Sequence, residues 1–187
     1  GDLKLFYYHD SAYDAITNGV VTEGTTSFNW DPIPPNIENN SRIKVLQKNT
    51  EGTANEVYGE SPTFNIIGKF TFDVGTKSPA LVNSGASFTI GWENYGLGTE
   101  IPQAKLELYD ATPPTPAWRD IDYWSNPGGH TGLVDNTKSY GWVVPTTVRA
   151  TTCKFRISDP NNATAADSSN EFEVRPTITV TAPTSAA

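Results

Sequence analysis

Methionine is absent from all 187 residues, position 1 included, so the stretch is expected to begin inside a longer gene product, processed or trimmed. Cysteine occurs once, at Cys153, which excludes an internal disulfide. Alternation with Phe155 and Ile157 makes Cys153 a small buried hydrophobe rather than a reactive thiol. Histidine occurs twice, as His9 and His130, with neither a His-x-x-x-His spacing nor a nucleophile motif beside it. Paired carboxylates in so acidic a chain discriminate nothing, and no glycine-rich loop joins a strand to a helix. The expectation is no catalytic residue, no cofactor and no metal. Thirteen Lys and Arg stand against 21 Asp and Glu, a net charge of −8, with the basic residues scattered. That excludes a phosphate-clamping basic patch and hence nucleic acid as a partner. It reads instead as solubility in a crowded or ionic setting. No run approaches the ~18 apolar residues of a membrane span. No signal peptide is visible, and no stretch keeps helical spacing for three turns.

What is present is strand chemistry. Thr, Val, Ile, Phe, Tyr and Trp recur in short runs punctuated by 15 glycines and 14 prolines, the pattern of an all-β chain. Two stretches stand out: Tyr140-Gly-Trp-Val-Val-Pro145 and its earlier echo, Phe28-Asn-Trp-Asp-Pro-Ile-Pro34. Each has an aromatic, a spacer, a Trp and then a proline that cannot donate to a ladder. Trp30, Trp92 and Trp142 are expected in the core. Strands are expected over 2–8, 28–35, 41–47, 64–67, 70–74, 87–92, 104–109, 140–145, 153–158, 172–174 and 178–180. Asn18-Gly19 reads as a turn.

The order of strands repeats. Leu3 and Leu5 match Leu106 and Leu108, Trp30 matches Trp142, and Lys44 and Val45 match Lys154 and Phe155. Ser61 and Phe64 match Ser169 and Phe172, and Phe70 matches Ile178. The period is about 108 residues, the size of an immunoglobulin-like sandwich. Residues 1–68 then hold only the later strands of a sandwich, and 69–176 a full set. Residues 177–187 hold the first strand of a further copy, or a strand to be donated. The architecture expected is tandem Ig-like or fibronectin-III-like β-sandwiches, the first incomplete.

The second copy resembles the Ser-Thr-rich Kre9/Knh-type repeat of extracellular surface proteins. The resemblance rests on Ser84-Gly85, Phe88-Thr-Ile-Gly-Trp92, Lys105-Leu-Glu-Leu-Tyr109 and Trp118-x-x-Ile121. It continues through Tyr140–Pro145, Cys153-Lys-Phe-Arg-Ile-Ser-Asp159 and Ser168-Ser-Asn-Glu-Phe-Glu-Val174, and so covers residues 70–175. It implies an extracellular, cell-surface location, a fibronectin-III-like sandwich in tandem arrays, no catalytic residues, and a core position for Trp118.

The functional expectation is a structural subunit of an extracellular filament, joined head to tail to other copies of itself. The strand Thr177, Ile178, Thr179, Val180 and Thr181 would fill the incomplete unit of the next molecule. A window cut from one longer repeat chain is the alternative arrangement. The competing function is an adhesin or carbohydrate-binding repeat, with glycans as partners and Tyr123 and Trp124 as the surface contact; an accessory domain of a secreted hydrolase is a third. Asn39 and Asn162 head glycosylation sequons in expected loops. Turn chemistry, not calcium, explains the acidic stretch from Ser158 to Asp167.

Overall fold

The computed structural model describes residues 1–96, 100–111 and 115–178. The chain is all-β, with several sheets. It divides into two compact units, Gly1–Ile67 and Gly68–Ala187.

The first unit carries β1 (Leu3–His9), β2 (Ala12–Val21), β3 (Glu38–Gln47), β4 (Tyr58–Glu60) and β5 (Phe64–Ile66). These form one five-stranded sheet in the order β2-β1-β3-β4, with β5 also on β3. The β1–β2 hairpin turns at Asp10 and Ser11, both at positive φ, as a two-residue turn of matching twist requires. Asn18-Gly19 does not end a strand. It lies inside β2, where the ladder slips between Lys4 and Phe6. Asn18 is left-handed there, with φ of 60°, and a Cβ on Gly19 would sit 2.8 Å from the Ile16 carbonyl oxygen. The dipeptide makes a bulge, not a hairpin.

The second unit adds β6 (Lys69–Phe72), the one-turn helix α1 (Val74–Lys77), β7 (Val82–Asn83), β8 (Ser87–Tyr95) and β9 (Gln103–Asp110). It continues with β10 (Ala117–Asp120), β11 (Leu133–Asp135), β12 (Ser139–Val143), β13 (Ala150–Asp159), β14 (Asn162–Ser168) and β15 (Phe172–Arg175). One sheet runs β10-β9-β13-β15-β7, with β11 on β9 and β14 on β13; the other runs β12-β8-β6. The expected strand at 70–74 is shorter because Asp73 caps α1, accepting the Thr76 N–H at 2.7 Å. Thr76 in turn accepts the Gly91 N–H at 2.8 Å. This places α1 over Gly91, which is buried although the alternation of β8 points it away from the core.

The two sheets of this unit meet through the Phe155 ring. Phe88 of β8 stacks on it at 5.7 Å, Trp142 of β12 meets it edge-on at 5.4 Å, and Phe172 of β15 stacks at 4.6 Å. Ile90, Leu106, Leu108, Phe155 and Ile157 are wholly buried, Trp92 and Trp142 nearly so, and Cys153 lies beside them without access to solvent. Burial, followed by the Asp110 carboxylate, pushes the Cys153 thiol up to about 12, so it stays neutral at ordinary pH.

The expected strand at 28–35 does not form, and residues 25–37 carry no strand. Its counterpart β12 pairs only with β8, and among the described residues of the first unit nothing corresponds to β8. A strand without a neighbour to bond is left as irregular chain. Trp30 is accordingly half-buried rather than core, its ring 5.1 Å from Tyr7. Trp118 is likewise half-buried: it lies in β10 with Tyr109 at 5.5 Å and the Arg156 guanidinium 4.4 Å over its face. Thr177 and Ile178 are not in a strand, and the rest of the expected strand, 179–181, lies outside the described residues.

Phe155→Ala removes the ring on which both sheets rest. It is expected to lower the stability of the second unit by about 3–5 kcal/mol, read as a shift in urea midpoint at unchanged slope.

Candidate assembly surface

The two units share a pairing scheme down to single hydrogen bonds. In the first, Tyr8 pairs with Tyr13 on one side and with Arg42 on the other. In the second, Tyr109 pairs with Trp118 and with Lys154. The Lys44 ammonium lies over the Tyr13 ring as the Arg156 guanidinium lies over Trp118. The Ser61 hydroxyl accepts the Ile43 N–H at 3.0 Å and donates to the Pro62 carbonyl, while its own N–H donates to the Ile43 carbonyl. The Ser169 hydroxyl does the same to Phe155 and Asn170. These bonds align Leu5 with Leu106, Tyr7 with Leu108, Ile43 with Phe155 and Val45 with Ile157. Both sets form the same cross-strand pairs. The alignment moves β1 and β3 by two residues each, in opposite senses, from the one read in the sequence. The cross-strand pairs and the faces are unchanged.

Burial separates the two. Leu106, Leu108, Phe155 and Ile157 have 0% of their surface exposed, and Phe172 has 4%. Their counterparts Leu5, Tyr7, Ile43, Val45 and Phe64 are all only half-buried. In the second unit this face lies under β8 and β12. In the first, the irregular stretch bearing Trp30 reaches it through Tyr7. Each of these side chains has apolar surface left to bury, at about 25 cal/mol per Å². This sheet face is apolar and half-buried, and residues 25–37 beside it carry no strand.

Ile178 is 84% exposed, and the Thr177 hydroxyl donates to the Ser84 carbonyl at 3.2 Å. Thr179, Val180 and Thr181 lie outside the described residues.

Tyr123 and Trp124 are half-buried and occupied by their own turn. Their ring planes stand at 85° with centroids 5.3 Å apart, the Arg119 guanidinium lies 4.8 Å over Tyr123, and His130 packs against it at 5.0 Å. The perpendicular rings do not make the flat platform that sugar stacking wants. His130 sits 2.8 Å from Asp120 through Nδ1. Burial pushes the Asp120 carboxyl up, but His130 and Lys105 together outweigh it and leave it below its ordinary value. Both sequon asparagines lie in strands, not in the expected loops: Asn39 is exposed in β3, and Asn162 opens β14 half-buried, its Oδ1 accepting the Thr164 hydroxyl at 2.6 Å. Asp167 accepts the Phe72 N–H and pairs with Lys77 at 2.6 Å.

One grouping was not legible in the sequence. His9, Asp10 and Glu38 bring ligand-type atoms within 4.8 Å of one another. They become neighbours because β1 pairs antiparallel with β3, which brings the end of β1 to the start of β3. The Asp14 Oδ2 is 2.6 Å from His9 Nε2, and Tyr7 stacks on the ring at 4.5 Å. The Asp14 hydrogen bond holds the imidazolium above its ordinary value, burial pulls it down, and Asp10 adds to the rise. The chemistry is that of a histidine held among carboxylates.

No protein-family model matches the chain, and no curated protein is recognisably similar to it. Among the described residues, no helix is long and apolar enough to cross a membrane.

A histidine raised by its partners adds stability that is fully present below the unfolded value, near 6.5, and is lost as pH rises through the folded value. The urea midpoint of the first unit is therefore expected to fall as pH rises from the unfolded value through the higher folded value of His9. Asp14→Asn is expected to flatten that fall, and the His9 ring-proton shifts are expected to titrate at lower pH in the variant.

Proposed function

We propose that this protein is a structural, non-enzymatic repeat of an extracellular surface filament, in which copies join head to tail by strand addition. The units are read as Ig-like β-sandwiches of the Ser-Thr-rich surface-repeat type. The second holds both sheets, and the first holds one sheet plus the single stretch that would start the other. The observation that carries the reading is the contrast in burial: the same face, with the same cross-strand pairs, is sealed in the second unit and half-open in the first. A half-open apolar face exerts a constant drive toward cover. The cover nearest to hand is the segment 177–181 of another copy, whose alternating Thr, Ile, Thr, Val, Thr suits a strand with one buried face.

Such a contact joins two different surfaces, so it propagates rather than closing into a dimer. It also gives the self-packed Tyr123–Trp124 turn no part in binding, and the adhesin reading loses the platform it needed.

The test compares the full chain with one ending at Pro176, by sedimentation velocity and negative-stain electron microscopy at rising concentration. The full chain is expected to give end-to-end species of increasing length, and the shortened chain to stay monomeric. Monomers in both, or equal assembly in both, would overturn strand addition; monomers in both would favour a face covered by preceding residues of one longer repeat chain.

A further inference from the structure

Building on the strand-addition reading, we infer that the donated segment takes the place β8 holds in the second unit, not that of β6, and lies antiparallel to residues 28–31 of its acceptor. The sequence correspondence points the other way, because Ile178 matches Phe70 of β6. The topology decides against it. In the three-stranded sheet β8 is central, bonded to β12 on one side and β6 on the other, while β6 has β8 as its sole ladder neighbour there. The first unit retains the counterpart of β12, the stretch at Trp30, and lacks the counterpart of β8. A strand arriving in β6's place would find no ladder to join. In β8's place it bonds the unladdered backbone around Trp30 and turns that stretch into a strand.

The register follows from β8 and β12, where Phe88 faces Trp142 and Ile90 faces Tyr140. Trp30 is the counterpart of Trp142, so Ile178 takes Phe88's position opposite Trp30, and Val180 takes Ile90's opposite Phe28. The polar residues follow in step: Thr177 stands for Ser87 and Thr179 for Thr89. Both of those are exposed in β8, whereas Ile90 is wholly buried. Ile178, 84% exposed in the single chain, thereby reaches the half-open face.

Cysteine pairs read the place directly. Asn29 is exposed and outside any strand, and the register sets it opposite Thr179. Paired Cα atoms across an antiparallel ladder lie about 4.5–5.5 Å apart, within disulfide reach. The contrasting pair joins Thr179 to Gly59. Gly59 is the counterpart of Asp167, which bonds the Phe72 N–H of β6, so it marks β6's place. A Cβ on Gly59 meets nothing within 4 Å. The native Cys153 is buried and stays out of the exchange.

Full-length N29C/T179C, oxidised at high concentration, is expected to give a reducible ladder of covalent multimers. Its yield should exceed that of G59C/T179C by about tenfold, because disulfides do not form across Cα separations beyond about 7 Å. The reverse preference would overturn the place inferred here and leave strand addition standing. Assembly without a ladder from either pair would overturn the place and the register. Neither ladder nor assembly, in variants whose urea midpoints match the parent chain, would overturn strand addition itself.

Discussion

The paired strands β1 and β3, like β9 and β13, turn an apolar face to one side, and what covers that face separates the two units. In the second unit the cover is a second sheet seated on Phe155, and the seal is complete: leucines, isoleucine and phenylalanine on β9 and β13 have no exposed surface. In the first unit the same ladder carries equally apolar residues, yet each remains half-buried. The hydrophobic term scales with area removed from water. Two units built from nearly the same pairing therefore differ in how much apolar surface they remove from water.

The serine clasps explain how the scheme is held without regard to that cover. Ser61 and Ser169 bind the N–H and C=O of a β3 or β13 residue and also hold the following carbonyl. This fixes where the chain leaves β4 or β14 and turns into β5 or β15. The bonds are local to the sheet and form whether or not the apolar face is sealed. The cation-over-aromatic pairs at Lys44–Tyr13 and Arg156–Trp118 do the same on the outer face. The first unit thus keeps the pairing of the second although its apolar face is less deeply buried.

Much of the strand order was legible because alternation with period two is a local signal. The ladders at β1, β3, β5, β8, β9, β12, β13 and β15 fall close to where Leu5, Val45, Phe64, Ile90, Leu106, Trp142, Phe155 and Phe172 place them. What escaped depended on neighbours distant in sequence. β2 was hidden by Asn18-Gly19, a turn signal that here makes a bulge. β14 was hidden by the turn chemistry of Asp159-Pro-Asn-Asn. The strand expected at Trp30 has the right residues and no partner, and alternation cannot report the absence of a partner. The contact role expected of Tyr123 and Trp124 rested on their lying in a long loop, whereas the fold turns the rings onto each other, Arg119 and His130.

The sequence by itself determined the all-β character, the two-fold recurrence of serine, tryptophan and strand, and the buried, unreactive state of Cys153. Each follows from side-chain chemistry within a few residues. Only the tertiary structure decided which strands have partners, and so which apolar face is sealed and which is open. A ladder is a contract between two strands, and the residues of one carry no information on whether the other is present.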